Sequence, residues 1–236
     1  MILPPFAEEM NQARHFHALV ATALGTLGID AFQIDLSMTG DSSGEFRDAD
    51  VALWRDDLHV ALDWLAARSG QVDVFALRSA ALLVPLLDLP STGVQSRICL
   101  LEPSMDGDRM LSEFLRIKVA RSLFEGERVS VDNLRERLTD GTLVDVSGYE
   151  LSPGLFEQVR QLALEPRNIT SQAAVRVLGG RRFMEDWRRR GAGESFNAGR
   201  AQYAETILDA EQMWTNDGPE PAAPMAELVA RCLADA

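Results

Sequence analysis

The sequence predicts an α/β fold in which a mostly parallel sheet is covered by helices. Helical and strand patterns alternate through the first hundred residues, as a parallel sheet requires. The predicted strands are also short, nearly continuous apolar runs, which are typical of strands buried on both faces. Because 236 residues fit one substantial core, we predict a single domain over residues 1–236.

Covering helices are predicted from apolar residues that recur at helical spacing. The first covers residues 11–26, with Gly28 placed to end it, and the second covers residues 51–65. A third, apolar all round, begins at Ala80 and is expected to be buried against the sheet. Between these helices the sequence predicts strands at residues 31–35, 72–77 and 97–101.

Helical patterns dominate the segment from residue 104 to residue 166. One of its helices begins at Ser152-Pro153, an N-cap followed by proline at the first helical position. We interpret residues 104–166 as a helical lid over the carboxyl edge of the sheet, where ligands of α/β proteins bind. Beyond it we predict strands at 173–178 and 201–208, an acidic linker at 216–224 and a terminal helix at 225–236.

Composition excludes several classes of partner. The formal net charge of -13 disfavours nucleic acids and anionic membranes, because Lys and Arg supply most phosphate affinity. We find no signal peptide and no apolar stretch long enough to span a bilayer, and two cysteines suit a reducing compartment. We therefore expect a cytoplasmic protein without membrane insertion, and the sequence leaves a homo-oligomer open.

A tight turn between a predicted strand and helix carries the most specific chemical signal. In the α/β-hydrolase fold, the catalytic serine occupies the centre of a sharp strand-to-helix turn, G-x-S-x-G. Here the small flanking residues are alanines, the centre is arginine and the serine is displaced by one, as Ala76-Leu77-Arg78-Ser79-Ala80. Since only the central side chain of this elbow (residues 76–80) projects toward the cleft, we expect Ser79 to point elsewhere.

The chain offers no histidine at the expected place of a catalytic base. The triad of this fold follows the order Ser, Asp or Glu, then His, and the last histidine here is His59. That place is held instead by residues 210–214. His15 and His17 would diverge around a helix, so we expect no metal site, and nothing indicates a cofactor. A serine without a base is a weak nucleophile.

Several N-terminal runs resemble one family of this fold. Residues 35–44 resemble the D-x-x-G-x-G-x-S turn of many α/β-hydrolases. The chain is similar to the second type of the exosortase A system-associated hydrolase family, densely in its N-terminal half and more weakly to the end. The matching runs are Pro4-Pro5-Phe6-Ala7-Glu8-Glu9-Met10-Asn11, Gln33-Ile34-Asp35-Leu36, Gly40-Asp41-Ser42-Ser43-Gly44 and Trp54-Arg55-Asp56-Asp57-Leu58, with Leu77-Arg78, Glu102-Pro103 and Gly148-Tyr149-Glu150-Leu151.

This resemblance implies a bacterial protein of the α/β-hydrolase fold that belongs to an exopolysaccharide and protein-sorting locus. It implies no particular substrate. An acyl or saccharide ligand, or a small anionic one, fits the class.

Arg78 allows two interpretations. In the first, one of Glu8, Glu9 or Glu102 pairs with Arg78, and the resulting cluster fixes the loops. In the second, Arg78 and backbone N–H groups near Phe6 and Ser79 hold an anionic ligand beneath the lid. An unpaired buried charge would cost several kcal/mol, so one of the two must hold.

Three functions follow from these residues. The first is a protein without a triad, a pseudoenzyme that binds an anion or acts as an accessory factor. The second is a true ester or thioester hydrolase that uses Ser79, or a carboxylate such as Glu8, with an unconventional base. The third is a structural partner-binding protein with a closed cleft.

Two other groups of residues favour ordinary structural roles. We interpret the aromatic side chains of the C-terminal half as packing residues and the arginines of residues 181–190 as a solvated helix face. A docking surface for an acidic partner is the alternative for these arginines. The aromatic residues are Phe183, Trp187, Phe196 and Trp214.

Overall fold

A five-stranded parallel sheet forms the centre of the molecule in the computed structural model. The structure describes residues 1–89, 95–124, 128–169, 173–198, 202–209 and 219–234. Every neighbouring pair in this sheet is parallel, and the spatial order is β1-β2-β3-β6-β7. The strands are β1 (Ile2–Leu3), β2 (Val74–Leu77), β3 (Arg97–Leu101), β6 (Ala174–Gly180) and β7 (Tyr203–Leu208). The predicted fold class is confirmed.

The described residues also form eight α-helices, several 3₁₀ helices and a small hairpin. The hairpin pairs β4 (Val144–Val146) with β5 (Tyr149–Leu151) in antiparallel fashion. The helices are α1 (Glu8–Thr26), α2 (Val51–Ala66), α3 (Gly107–Phe124), α4 (Val131–Thr139), α5 (Pro153–Arg160), α6 (Arg181–Arg189), α7 (Ala192–Asn197) and α8 (Pro219–Ala234).

The central sheet is buried on both faces by the alternation of its side chains. Successive residues of a strand point to opposite faces. Val74 and Ala76 of β2 therefore pack into the core on one side, while Phe75 and Leu77 pack against α1 and α8 on the other. All four are at most 1% exposed, which explains the continuous apolar run in the sequence.

The segment between β3 and β6 holds α3, α4, the hairpin and α5. It is attached to the N-terminal half by polar contacts at α2: the Gln158 side chain donates to Asp50 Oδ2 at 2.7 Å and accepts from the Val51 N–H at 2.8 Å. Arg47 and Glu150 form a further ion pair at 3.0 Å. These contacts attach residues 104–166, which we name the insertion segment, to the N-terminal half of the chain.

One expectation for the sheet was wrong. The strand predicted at residues 31–35 reduces to one bridge, in which Gln33 pairs in parallel with Ile2. The edge strand is instead β1, which the sequence could not reveal because two residues carry no measurable periodicity. Because β1 has only two residues, residues 31–35 can pair with it at no more than one position.

Three further boundaries differ from the expectations. The buried helix expected from Ala80 is a 3₁₀ helix, Arg78–Leu86, with Pro85 inside it. The insertion segment contains the β4–β5 hairpin as well as helices. The terminal helix begins at Pro219, so part of the expected linker is helical, while residues 210–214 and 216–218 lie outside the described residues.

The five arginines of residues 181–190 lie on or directly after α6, and all of them are exposed. Arg188 pairs with Glu205 at 2.7 Å, and Arg190 pairs with Asp186 at 2.6 Å. Of the aromatic residues, Trp187 and Phe196 are buried as packing residues; Trp214 is outside the described part. Within the described ranges, no helix is both long and apolar enough to cross a membrane.

Candidate functional site

Three loops with strained backbones meet at the carboxyl edge of the sheet. Ala7 follows β1, Arg78 follows β2 and Glu102 follows β3, with φ angles of 48°, 48° and 44°. Residues other than glycine rarely adopt positive φ, and such positions cluster at functional sites. Since β1, β2 and β3 are parallel neighbours, their carboxyl ends place the three loops side by side.

Arg78 lies at the apex of the elbow and is held by two carboxylates. Its Nε donates to Glu9 Oε1 at 2.7 Å, and its Nη2 donates to Glu113 Oε2 at 3.1 Å. Burial acts to lower the pKa of Arg78, but the charges of Glu9, Glu113 and Glu102 outweigh it and raise the pKa above its usual value. The guanidinium is therefore a permanent cation in an acidic setting.

Ser79 is the second residue of the 3₁₀ helix and is 4% exposed. Its Oγ accepts from the Phe6 N–H at 2.8 Å and donates to Glu9 Oε2. The Ser79 N–H also donates to Glu9 Oε2, at 3.0 Å. In catalytically active α/β-hydrolases, backbone N–H groups at the positions of Phe6 and Ser79 bind the developing oxyanion of an ester substrate. Here they meet the protein's own hydroxyl and carboxylate.

Glu102 and Glu8, the other carboxylates singled out in the sequence, have different partners. Glu102 is 7% exposed and accepts from the Gly180 N–H at 3.0 Å, which joins the ends of β3 and β6. Burial raises the pKa of Glu102, against the opposing effects of this N–H and of Arg78. Glu8 instead accepts from the Asn11 side chain at 3.2 Å.

An apolar cavity of about 30 Å³ lies beside Ser79. A space of this size holds about two water molecules. Phe6 contributes to its wall and packs edge-on against Phe114, with ring centroids 5.2 Å apart. The insertion segment contributes Met110, Val159 and Leu162 to the lining. The other apolar lining residues are Pro4, Pro5, Ala7, Leu36, Phe46, Trp54, Leu82 and Leu83.

The three histidines lie away from this site. His15 is exposed on α1, and the Nε2 of His59 lies 2.9 Å from the Leu86 carbonyl oxygen. His17 is 5% exposed, beside Phe75, and its Nε2 has no hydrogen-bond partner among the described residues. Among those residues we also find no group of three or more His, Cys, Asp or Glu side chains arranged to hold a metal.

The burial of His17 predicts a pH-dependent stability. Burial lowers its pKa to about 4, from 6.5. Between these pH values the unfolded state binds more protons at His17 than the folded state does. The stability that comes from a neutral His17 is therefore present above pH 6.5 and is lost as the pH falls toward 4. From pH 7 to pH 5, His17 lowers the free energy of unfolding by about 2 kcal/mol.

We expect His17→Leu to remove this dependence. The measurement is urea unfolding at both pH values for the wild type, His17→Leu and the exposed control His15→Leu. The wild type and the control should lose about 2 kcal/mol more than His17→Leu on acidification. Equal losses in all three proteins would show that His17 is not buried as a neutral side chain.

Glu113 is the site residue that the sequence did not reveal. It lies on α3 and links Arg78 to Arg109, whose Nε is 3.3 Å from Glu113 Oε1. The spacing of Arg109 and Glu113 predicts only a local helical ion pair. Its contact with Arg78 crosses from the insertion segment to the elbow and depends on the tertiary structure.

The same overall fold occurs in solved esterases and related proteins. Est1E from Butyrivibrio proteoclasticus, solved with bound ferulic acid, is 12% identical, with a TM-score of 0.59 over 100% of this chain and 88% of that protein. Mouse α/β hydrolase domain-containing protein 10 is 13% identical, with a TM-score of 0.55 over 99% and 88%. Carboxyl esterase 2 from Tuber melanosporum is 12% identical, with a TM-score of 0.55 over 98% of this chain and 74% of that protein.

These similarities establish that the chain has the α/β-hydrolase fold. At such low identity they establish the fold alone, and activity has to be argued from the site. No protein-family model and no curated protein sequence matches the chain.

Proposed function

We propose that this protein does not hydrolyse esters through a Ser-His-Asp triad and serves as an anion-binding or accessory factor. One observation carries the proposal: a guanidinium held by Glu9 and Glu113 occupies the apex of the elbow. Arginine remains protonated in proteins and has no lone pair for attack. The residue at the apex therefore cannot act as the nucleophile.

The surroundings of Ser79 support the same proposal. The N–H groups of Phe6 and Ser79 both have acceptors within the chain, so neither is free to stabilise an oxyanion. Ser79 is buried, and its hydroxyl contacts a carboxylate where a triad would provide an imidazole. An ester carbonyl would have to displace these contacts before any attack.

A bacterial exopolysaccharide and protein-sorting locus is the setting we propose, with the protein in the cytoplasm. The support is the resemblance of the N-terminal runs, above all residues 4–11 and 35–44. Part of the first run forms the site: Phe6 and Glu9 both contact Ser79.

Two alternatives each rest on a specific contact or dimension. The hydrogen bond from Ser79 Oγ to Glu9 favours a hydrolase in which this carboxylate serves as the base. The cavity of about 30 Å³ favours a closed cleft and a purely structural role.

A panel of short acyl p-nitrophenyl esters separates the hydrolase from our proposal. We expect the wild type, Ser79→Ala and Glu9→Gln to hydrolyse every ester at the same background rate. A rate about ten-fold above background in the wild type that both variants lose would overturn the proposal and favour a Ser79–Glu9 hydrolase.

A further inference from the structure

We propose that the Glu9 carboxylate is the resident occupant of a carboxylate-binding site, and that a short apolar monocarboxylate from solution binds there by displacing it. This inference rests on the proposed function and specifies its ligand. The site consists of the donors on Arg78 and Ser79 that Glu9 now occupies.

The donors around Glu9 match both oxygens of a carboxylate. Arg78 Nε donates to Oε1 at 2.7 Å, while the Ser79 N–H donates to Oε2 at 3.0 Å and the Ser79 hydroxyl also donates to Oε2. A cation and two polar donors facing one carboxylate form strong, charge-assisted hydrogen bonds. A neutral group would leave the Arg78 charge less well balanced.

Glu9 is placed so that its side chain can leave. It lies in the first turn of α1, and its side chain is 22% exposed, so rotation about its side-chain bonds brings the carboxylate into water. The backbone of α1 keeps its position during this rotation. Displacement therefore exchanges one carboxylate for another at unchanged donors.

The charges around Arg78 require that a ligand carboxylate replaces Glu9 and does not bind beside it. Arg78 already faces Glu9 and Glu113, and Glu102 lies near enough to influence its pKa. A further anion beside these carboxylates would be repelled. A ligand that replaces Glu9 keeps the number of charges at the site unchanged.

The neighbouring cavity indicates what the carboxylate is attached to. Ser79 and Phe6 lie in its wall, and most of the remaining lining is apolar. An aliphatic tail fits this surface, whereas a second charge or a sugar ring would lose hydrogen bonds to water. Because the cavity is only about 30 Å³, the tail is short, and butyrate is a suitable probe.

Calorimetric titration with butyrate tests the proposal. Glu9→Ala removes the competing carboxylate and should bind butyrate about ten-fold more tightly than the wild type. Glu9→Gln, which keeps the side-chain volume, should also bind more tightly than the wild type. Butan-1-ol, with the same tail, should not bind measurably to either variant, and Glu8→Ala should behave as the wild type.

Three results would overturn this inference: no binding of butyrate by either folded Glu9 variant, equal affinity in the wild type, or equal binding of butan-1-ol. Circular dichroism establishes that each variant is folded, and Glu9→Gln provides the test if Glu9→Ala is not. The ester panel measures hydrolysis, whereas the calorimetric titration measures binding. Absent butyrate binding with background hydrolysis therefore rejects the ligand alone, whereas Ser79-dependent hydrolysis rejects the proposed function.

Discussion

Arg78→Leu is expected to lower the free energy of unfolding by about 3 kcal/mol. The substitution leaves Glu9 and Glu113 facing a leucine, with buried Glu102 nearby. Glu102 then stays buried without its nearby cation, and Glu9 loses its charge-assisted hydrogen bond whether it stays in place or turns into water. The Arg78 side chain is 26% exposed and the two carboxylates are 22% and 35% exposed, so we place the effect at the low end of the usual range.

Urea unfolding at pH 7 measures this effect, and Arg109→Leu is its matched control. Arg109 pairs with the same Glu113 but is 58% exposed, so its loss should change the free energy of unfolding by less than about 0.5 kcal/mol. Arg78→Leu should also cost less in a Glu9→Gln background, where one uncompensated charge is absent. Equal effects of the two arginines would contradict the role assigned to Arg78.

Gly107→Ala is expected to destabilise the protein by about 3 kcal/mol. Gly107 begins α3 where it abuts the end of α5, and its N–H donates to the Leu162 carbonyl at 2.9 Å. A Cβ at this position would lie 1.9 Å from the Val159 carbonyl oxygen and 3.1 Å from that of Leu162. Both are backbone atoms, so no side-chain rotation relieves the clash and the two helices have to separate.

Gly154→Ala provides the comparison within α5. A Cβ there meets no atom within 4 Å, and alanine favours helix more than glycine. We expect its free energy of unfolding to rise by about 0.5 kcal/mol in urea unfolding, while that of Gly107→Ala falls. A Gly107→Ala protein as stable as the wild type would show that α3 and α5 are not in this contact.

The main architecture was predictable because it depends on local pattern. Apolar runs gave β2, β3 and β6, and helical spacing gave α1 and α2. The sequence could not predict β1, since a strand of two residues is defined by its partner Phe75 rather than by its own pattern. The hairpin at 144–151 was missed for a related reason: its strands are three residues each and lie between helices.

The site was predictable at the elbow and unpredictable where partners are distant. The spacing of residues 76–80 identifies Arg78 as the apex, and the structure gives it the positive φ of such a turn. Which carboxylate it meets depends on the direction in which α1 enters, and the structure turns Glu9 rather than Glu8 toward it. Glu113 belongs to a different segment, and no local spacing predicts its contact with the elbow.

Labelling with a fluorophosphonate followed by intact-mass measurement tests most directly whether the site holds an activated serine. The wild type should gain no adduct, because the Ser79 hydroxyl is buried against Glu9 and Arg78 occupies the apex. A stoichiometric adduct mapped to Ser79 and absent from Ser79→Ala would contradict this account.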